Sequence, residues 1–350
     1  MPNNITYNVN NSATQVLAAK QVKENIFVSL LHRNGKGVNQ QEEVNASTIR
    51  MLKATALDGS ARELGTGFTN GGFFNKNGAG AQEVAEYDLN LLYIYDRMLD
   101  IAEVQEDLVP ISVFEQATKN IGGRISTEIN ASTIAKQLAE SFNAAKTATK
   151  WDGIGVVIAN TANKKNHYDA VMTASTQLDD GDEANGIQSF PFEERELIIR
   201  PAFRQSLMSE TGVILGGSNY AQSMLAKGGV DPDSSKDFGN MYVGEIDLIP
   251  VYVCPKQIWS RAGVWAGGAT KFDSVQAMMV AASATDRGIS TQDYIKIIDS
   301  PNGAGKRLQP KVRWGINVCY PAGIVPILAN GTAAPSANVT VSAPDSNFDN

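Results

Sequence analysis

Two cysteines, two histidines and no long block of lysine and arginine leave this 350-residue chain with little material for metal centres, thiol chemistry or phosphate binding. Cys254 and Cys319 both sit in apolar, strand-like runs, where a thiol packs as a small hydrophobe, so free cysteines in a reducing compartment are expected. His32 and His167 stand far apart among ordinary polar residues, and G-x-S-x-G, H-E-x-x-H and C-x-x-C are all missing. No catalytic, cofactor-binding or metal-ligating residue is therefore expected. The net charge of −7 argues against sequence-specific nucleic-acid binding, because phosphate neutralisation needs clustered cations. No apolar run approaches the roughly 20 residues needed to span a bilayer, so a soluble chain without a membrane partner is expected. The opening MPNNITYNVNNSAT has no cationic stretch followed by an apolar one, which makes an intracellular origin the expectation.

Three segments come near a binding motif and fall short of it. PNGAGKR (Pro301–Arg307) approaches a phosphate-binding loop but has Ser300 where glycine is required and Arg307 where a magnesium-ligating hydroxyl is required. In DPDSSKDFGNMY (Asp231–Tyr242) the acidic spacing suits a calcium loop, yet Lys236 and Tyr242 replace its essential glycine and glutamate. The turn from Asp179 to Glu183 is a solvated acidic turn by the same reasoning.

The chain is 43% hydrophobic and 19% charged, ordinary for a globular protein and long enough for two or three cores or one elongated subunit. Val16, Val22, Ile26, Phe27, Leu30 and Leu31 have helix-compatible spacing ahead of the Asn34–Gly37 turn. Seven glycines between Gly59 and Gly80 surround Phe68, Phe73 and Phe74, too little apolar mass for a core. With the strand-like YDLNLLYIY (Tyr87–Tyr95) downstream, this predicts a long glycine-rich β-hairpin that needs a partner surface. Ser112 and Glu115 fit a capping box, and Phe114, Ala117, Ile121, Ile125, Ile129, Leu138, Phe142 and Ala145 recur mostly at intervals of three or four. The spacing predicts a helix from 112 to about 150, roughly 55 Å long, with Gly122-Gly123 as the expected kink and Ile121, Ile125, Ile129, Leu138 and Phe142 as its core stripe.

Further on, GIGVVIAN reads as a strand and His167–Leu178 as a helix ending at the acidic turn. RELIIRPAFRQSL (Arg195–Leu207) is a buried strand stopped by Pro201 and followed by a helix, and YVGEIDLIPVYVCP (Tyr242–Pro255) is two apolar strands divided around Asp247. Val312–Leu328 is strand-rich, and the Asn, Gly, Thr, Ala, Pro and Ser composition beyond Asn330 predicts a mobile tail.

The order of strand, proline, short helix, long glycine-rich excursion and G-x-I-x-x-x-P-V-Y-V resembles the outer half of a major capsid protein of tailed double-stranded DNA bacteriophages. The resemblance to that family, with its Hong Kong 97 capsid fold, covers most of the chain. It implies an α+β fold with an N-terminal arm (1–34), an extended β-hairpin loop (35–95), a peripheral domain (96–194) holding a spine helix (112–150), a mixed α/β axial domain (195–310), closing strands (311–330) and a mobile tail (331–350). It further implies a structural, non-enzymatic protein that self-assembles as hexamers and pentamers into an icosahedral head shell. Scaffolding, portal or decoration proteins would be its partners, and the virion its location after assembly in the host bacterial cytoplasm. Phe68, Phe73, Phe74 and Lys76 would then be intersubunit contacts, their burial supplied by a neighbour. The alternatives are a cytosolic α/β enzyme with an unrecognised site and a cellular nanocompartment shell of the same fold.

Overall fold

The computed structural model describes residues 48–54, 84–90, 93–95, 99–101, 110–147, 156–160, 165–181, 189–214, 242–290, 295–299, 306–310, 312–332 and 338–344. The expected N-terminal arm, the residues Phe68, Phe73, Phe74 and Lys76, and the near-calcium loop up to Met241 lie outside the described residues.

Strand β1 (Thr48–Ala54) pairs antiparallel with β2 (Val84–Asn90) along its full length, Thr48 opposite Asn90 and Ala54 opposite Val84. These two strands flank the glycine-rich stretch and are the stem of the hairpin expected there. Beyond them, β3 (Tyr93–Tyr95) and β4 (Leu99–Ile101) are short strands that pair elsewhere.

Helix α1 (Pro110–Thr147) is 38 residues long, about 57 Å at the α-helical rise. It starts two residues earlier than the Ser112 capping box predicts. Proline is well suited to the first helical position, where its missing N–H would have had no intrahelical partner. The helix also passes through Gly122-Gly123 without a break, where the sequence predicts a kink. Packing outweighs the glycine penalty of about 1 kcal/mol per residue there, since Ile121 and Ile125 on either side are both buried. Ser126 Oγ and Thr127 Oγ1 each donate to the Gly123 carbonyl oxygen at 2.8 Å.

A six-stranded mixed sheet is the centre of the molecule. It contains β5 (Val156–Val157), β6 (Arg195–Ile199), the hairpin β7 (Tyr242–Ile246) and β8 (Ile249–Val253), β9 (Val275–Ala281) and, from the far end of the chain, β14 (Ile324–Leu328). Its order is β5-β14-β9-β6-β8-β7, with β5–β14 and β6–β8 parallel and the other pairs antiparallel. Helix α2 (Asn166–Asp179) packs against α3 (Pro201–Ile214) and against β9 and β14. Pro201 opens α3 as Pro110 opens α1. Helix α4 (Lys256–Trp265) follows β8 and packs along α1. Two three-stranded sheets complete the architecture: β10 (Thr285–Ser290) and β3 flank β13 (Val312–Val318), while β11 (Ile295–Asp299) and β4 flank β12 (Lys306–Pro310).

The strand-rich stretch Val312–Leu328 supplies two strands that join different sheets. The turn Pro321–Gly323 redirects the chain between them, so β13 joins β10 and β3 while β14 enters the six-stranded sheet. The tail is not uniformly mobile, because residues 338–344 are docked, with Val339 buried. Composition alone suggested a solvated segment, but an alternating Val-Thr-Val is enough to seat one apolar face.

Gly263 in α4 shows how tightly this region closes. A β-carbon there would lie 2.6 Å from the backbone carbonyl oxygens of both Gly268 and Ala269, where the chain folds back over the helix end. Gly263→Ala is expected to lower stability by about 1–3 kcal/mol through overpacking, read as a lower urea midpoint at unchanged slope. An unchanged midpoint would mean the 266–270 turn shifts freely.

Candidate functional site

Described residues of two of the segments that approached a binding motif have structural roles instead. Lys306, the lysine of the near-phosphate loop, begins β12 and stands opposite Asp299 of β11 in an antiparallel hairpin. A phosphate-binding loop needs a strand followed by a helix whose N-terminus faces the anion, and a hairpin offers no such end. Asp179, first residue of the acidic turn, accepts a 2.5 Å hydrogen bond from Nη2 of the buried Arg195. Arg195 also donates through Nε to the Phe190 carbonyl at 3.0 Å and through Nη1 to Ser175 Oγ at 2.8 Å. It thereby ties the end of α2 to the start of β6.

His167 lies 2.5 Å through Nδ1 from Oε1 of Glu210. The other carboxylate oxygen of Glu210 accepts the backbone N–H groups of His167 and Tyr168 at 2.9 and 3.1 Å. Glu210, reaching across from α3, thus caps the N-terminus of α2, and the histidine is held as part of that cap, edge-on to Phe203. Neither cysteine is in a disulfide: Cys254 is buried, and burial pushes its thiol well above the usual range, which makes it inert. Cys319 donates to Asp286 Oδ2 at 3.0 Å. Among the described residues no cluster of three or more histidine, cysteine or acidic side chains could hold a metal ion, and no helix is long and apolar enough to cross a membrane.

What the structure does bring together is a polar seam along α1. Ile121, Ile125, Ile129, Leu138 and Phe142 are buried, and so are the polar residues Ser126, Glu128, Ser132, Gln137 and Ser141 on adjoining faces. Glu128 accepts from Arg261 Nε at 2.7 Å and from Trp265 Nε1 at 2.8 Å, both on α4. Ser132 Oγ accepts from Trp314 Nε1 of β13 at 2.9 Å, Gln137 Nε2 donates to Thr285 Oγ1 of β10 at 3.1 Å, and Ser141 Oγ donates to the Ile324 carbonyl of β14 at 2.9 Å. The helix is thus fastened in register to α4, to two strands of the β10-β13-β3 sheet and to the central sheet. An apolar stripe alone would permit sliding, whereas directional bonds fix one axial position. Sequence reasoning missed the seam because each of its residues is individually common on an exposed helix face; the signal would have been polar residues at the same three-and-four spacing as the apolar stripe.

Solved structures share this fold. No protein-family model matches the chain, and neither does any curated protein. A chain of the head structure of Helicobacter pylori bacteriophage KHP40 superposes with a TM-score of 0.52 at 10% identity, over 84% of this chain and 87% of that one. The capsid structure of the cyanophage P-SCSP1u gives 0.51 at 14% identity over 88% of each chain. The mature capsid of bacteriophage PhiM1 gives 0.50 at 9% identity over 83% and 85%. The chain therefore has the α+β, Hong Kong 97-like fold of phage capsid chains, the fold its sequence resemblance implied.

Proposed function

We propose that this protein is a major capsid protein: a structural, non-enzymatic subunit that self-assembles into the icosahedral head shell around a phage genome. The observation that carries this reading is the shared fold with phage capsid and head chains across 83–88% of this chain. Physical features point the same way. The paired strands β1 and β2 flank a glycine-rich stretch of sequence poor in apolar mass, which suits a loop that takes its burial from a neighbouring subunit. The pinned helix α1 suits a spine that must not slide under load. The negative net charge suits a wall that confines DNA without adsorbing it. On this reading the partners are copies of the same chain in hexamers and pentamers, together with scaffolding, portal or decoration proteins. Assembly takes place in the host bacterial cytoplasm and the product resides in the virion. Phe68, Phe73, Phe74 and Lys76 contact the neighbouring subunit, where each buried phenylalanine contributes about 1.5–3 kcal/mol.

Purified protein should form closed shells or ring-shaped capsomers in negative-stain images and sedimentation. Deleting Thr66–Gly80 should leave circular dichroism and melting nearly unchanged while shell yield collapses. Only monomers or small dimers from the intact chain, across concentration, ionic strength and added scaffold, would sink the reading. Shells from the deletion variant would remove the loop from the interface and leave the rest standing.

A further inference from the structure

The structure assigns a docking site for an extended peptide on the spine, filled in cis by residues 338–344 of the same chain. Its centre is Asn143, near the end of α1. The side-chain amide donates through Nδ2 to the Val339 carbonyl at 2.9 Å and accepts the Val339 backbone N–H on Oδ1, also at 2.9 Å. One asparagine thus supplies both halves of the pairing that a neighbouring strand would give. Three residues on, the Ser342 N–H donates to the Trp265 carbonyl at the end of α4, at 3.0 Å. Val339 is buried, Thr340 is exposed and Val341 packs partly against the core, so the segment binds as a strand does, with alternate side chains inward.

The site bridges the two helices that Glu128 also joins, since Trp265 donates its indole N–H to Glu128 and receives the strap on its carbonyl. Recognition rests mainly on backbone groups, with Val339 the one side chain buried in the hydrophobic core. The ligand class is accordingly an extended peptide of the form V-x-V, of which this chain carries its own copy at Val339–Val341. On this proposal the segment is separable from the rest of the fold, although Val339 reaches into the hydrophobic core. The inference does not depend on the shell reading.

A double-mutant cycle tests it on the full chain, a chain ending at Thr332, and Asn143→Ala in each. Truncation should lower the melting temperature by several degrees with the circular dichroism spectrum kept. Asn143→Ala should reproduce most of that fall in the full chain and be silent in the truncated one. Hydrogen exchange at the Val339 and Ser342 amides should be slow in the intact protein and accelerate roughly tenfold or more in Asn143→Ala. A truncated chain that fails to fold would make the segment integral core and overturn separability. Equal effects of Asn143→Ala with and without the segment, or unprotected amides in the intact protein, would overturn the site. Protection that rises with protein concentration would place a second copy's segment there and overturn docking in cis.

Discussion

Replacing Ile129 or Leu138 by aspartate is expected to destabilise the protein by about 4 kcal/mol or more and to remove soluble, correctly folded material. Both side chains are fully buried in the middle of α1. A carboxylate at either site would lose its hydration without gaining a partner, and its protonation would recover only part of the loss. The polar seam does not help, because Glu128, Ser132, Gln137 and Ser141 face other elements and are already engaged there. Leu138→Met, which nearly conserves volume, should cost less than about 1.5 kcal/mol and serves as the control. Soluble yield and urea midpoints decide the matter. A stable Leu138→Asp protein would show that α1 rolls to expose this face, and the pinned-spine argument would fail with it.

What the sequence made legible follows from the length scale of each signal. Strand β6, the Pro201 stop, helix α3, the β7–β8 hairpin around Asp247 and the long helix were all readable, because apolar periodicity and proline act within a few residues. The turn itself was less so: Asp247 and Leu248 both have positive φ, at 50° and 66°, where asparagine and glycine are the usual occupants. Neither the parallel pairing of β5 with β14 nor the separation of β13 from β14 could be read, since strand order depends on contacts distant in the chain. The docked segment at 338–344 was masked by its own composition. Arg195 and Glu196 open β6, and both are buried and bonded or paired within the fold, a placement for which apolar periodicity gives no signal.

Glu196 leads to the second large effect. It shares the interior with Arg287 of β10, whose guanidinium is pushed down to about 10 by burial, with the Glu196 carboxylate acting in the opposite direction. Arg287 is therefore still a cation at neutral pH, in a place where a lone cation is costly. Glu196→Gln removes the compensating charge while keeping the shape, so it should destabilise the fold by about 3–5 kcal/mol. Replacing both residues, as Glu196→Leu with Arg287→Met, should recover most of that loss, because no buried charge is left unpaired. The pH dependence has a defined sign. A base whose folded value lies below its unfolded one binds fewer protons in the native state, so its penalty is fully present below about 10 and is relieved as pH rises above about 10 towards the higher unfolded value. Urea denaturation at pH 7 and pH 10.5 should show the intact protein gaining from this group at the higher pH relative to the double variant. A double variant as unstable as Glu196→Gln alone would mean that the loss comes from packing around β6 rather than from the orphaned charge of Arg287.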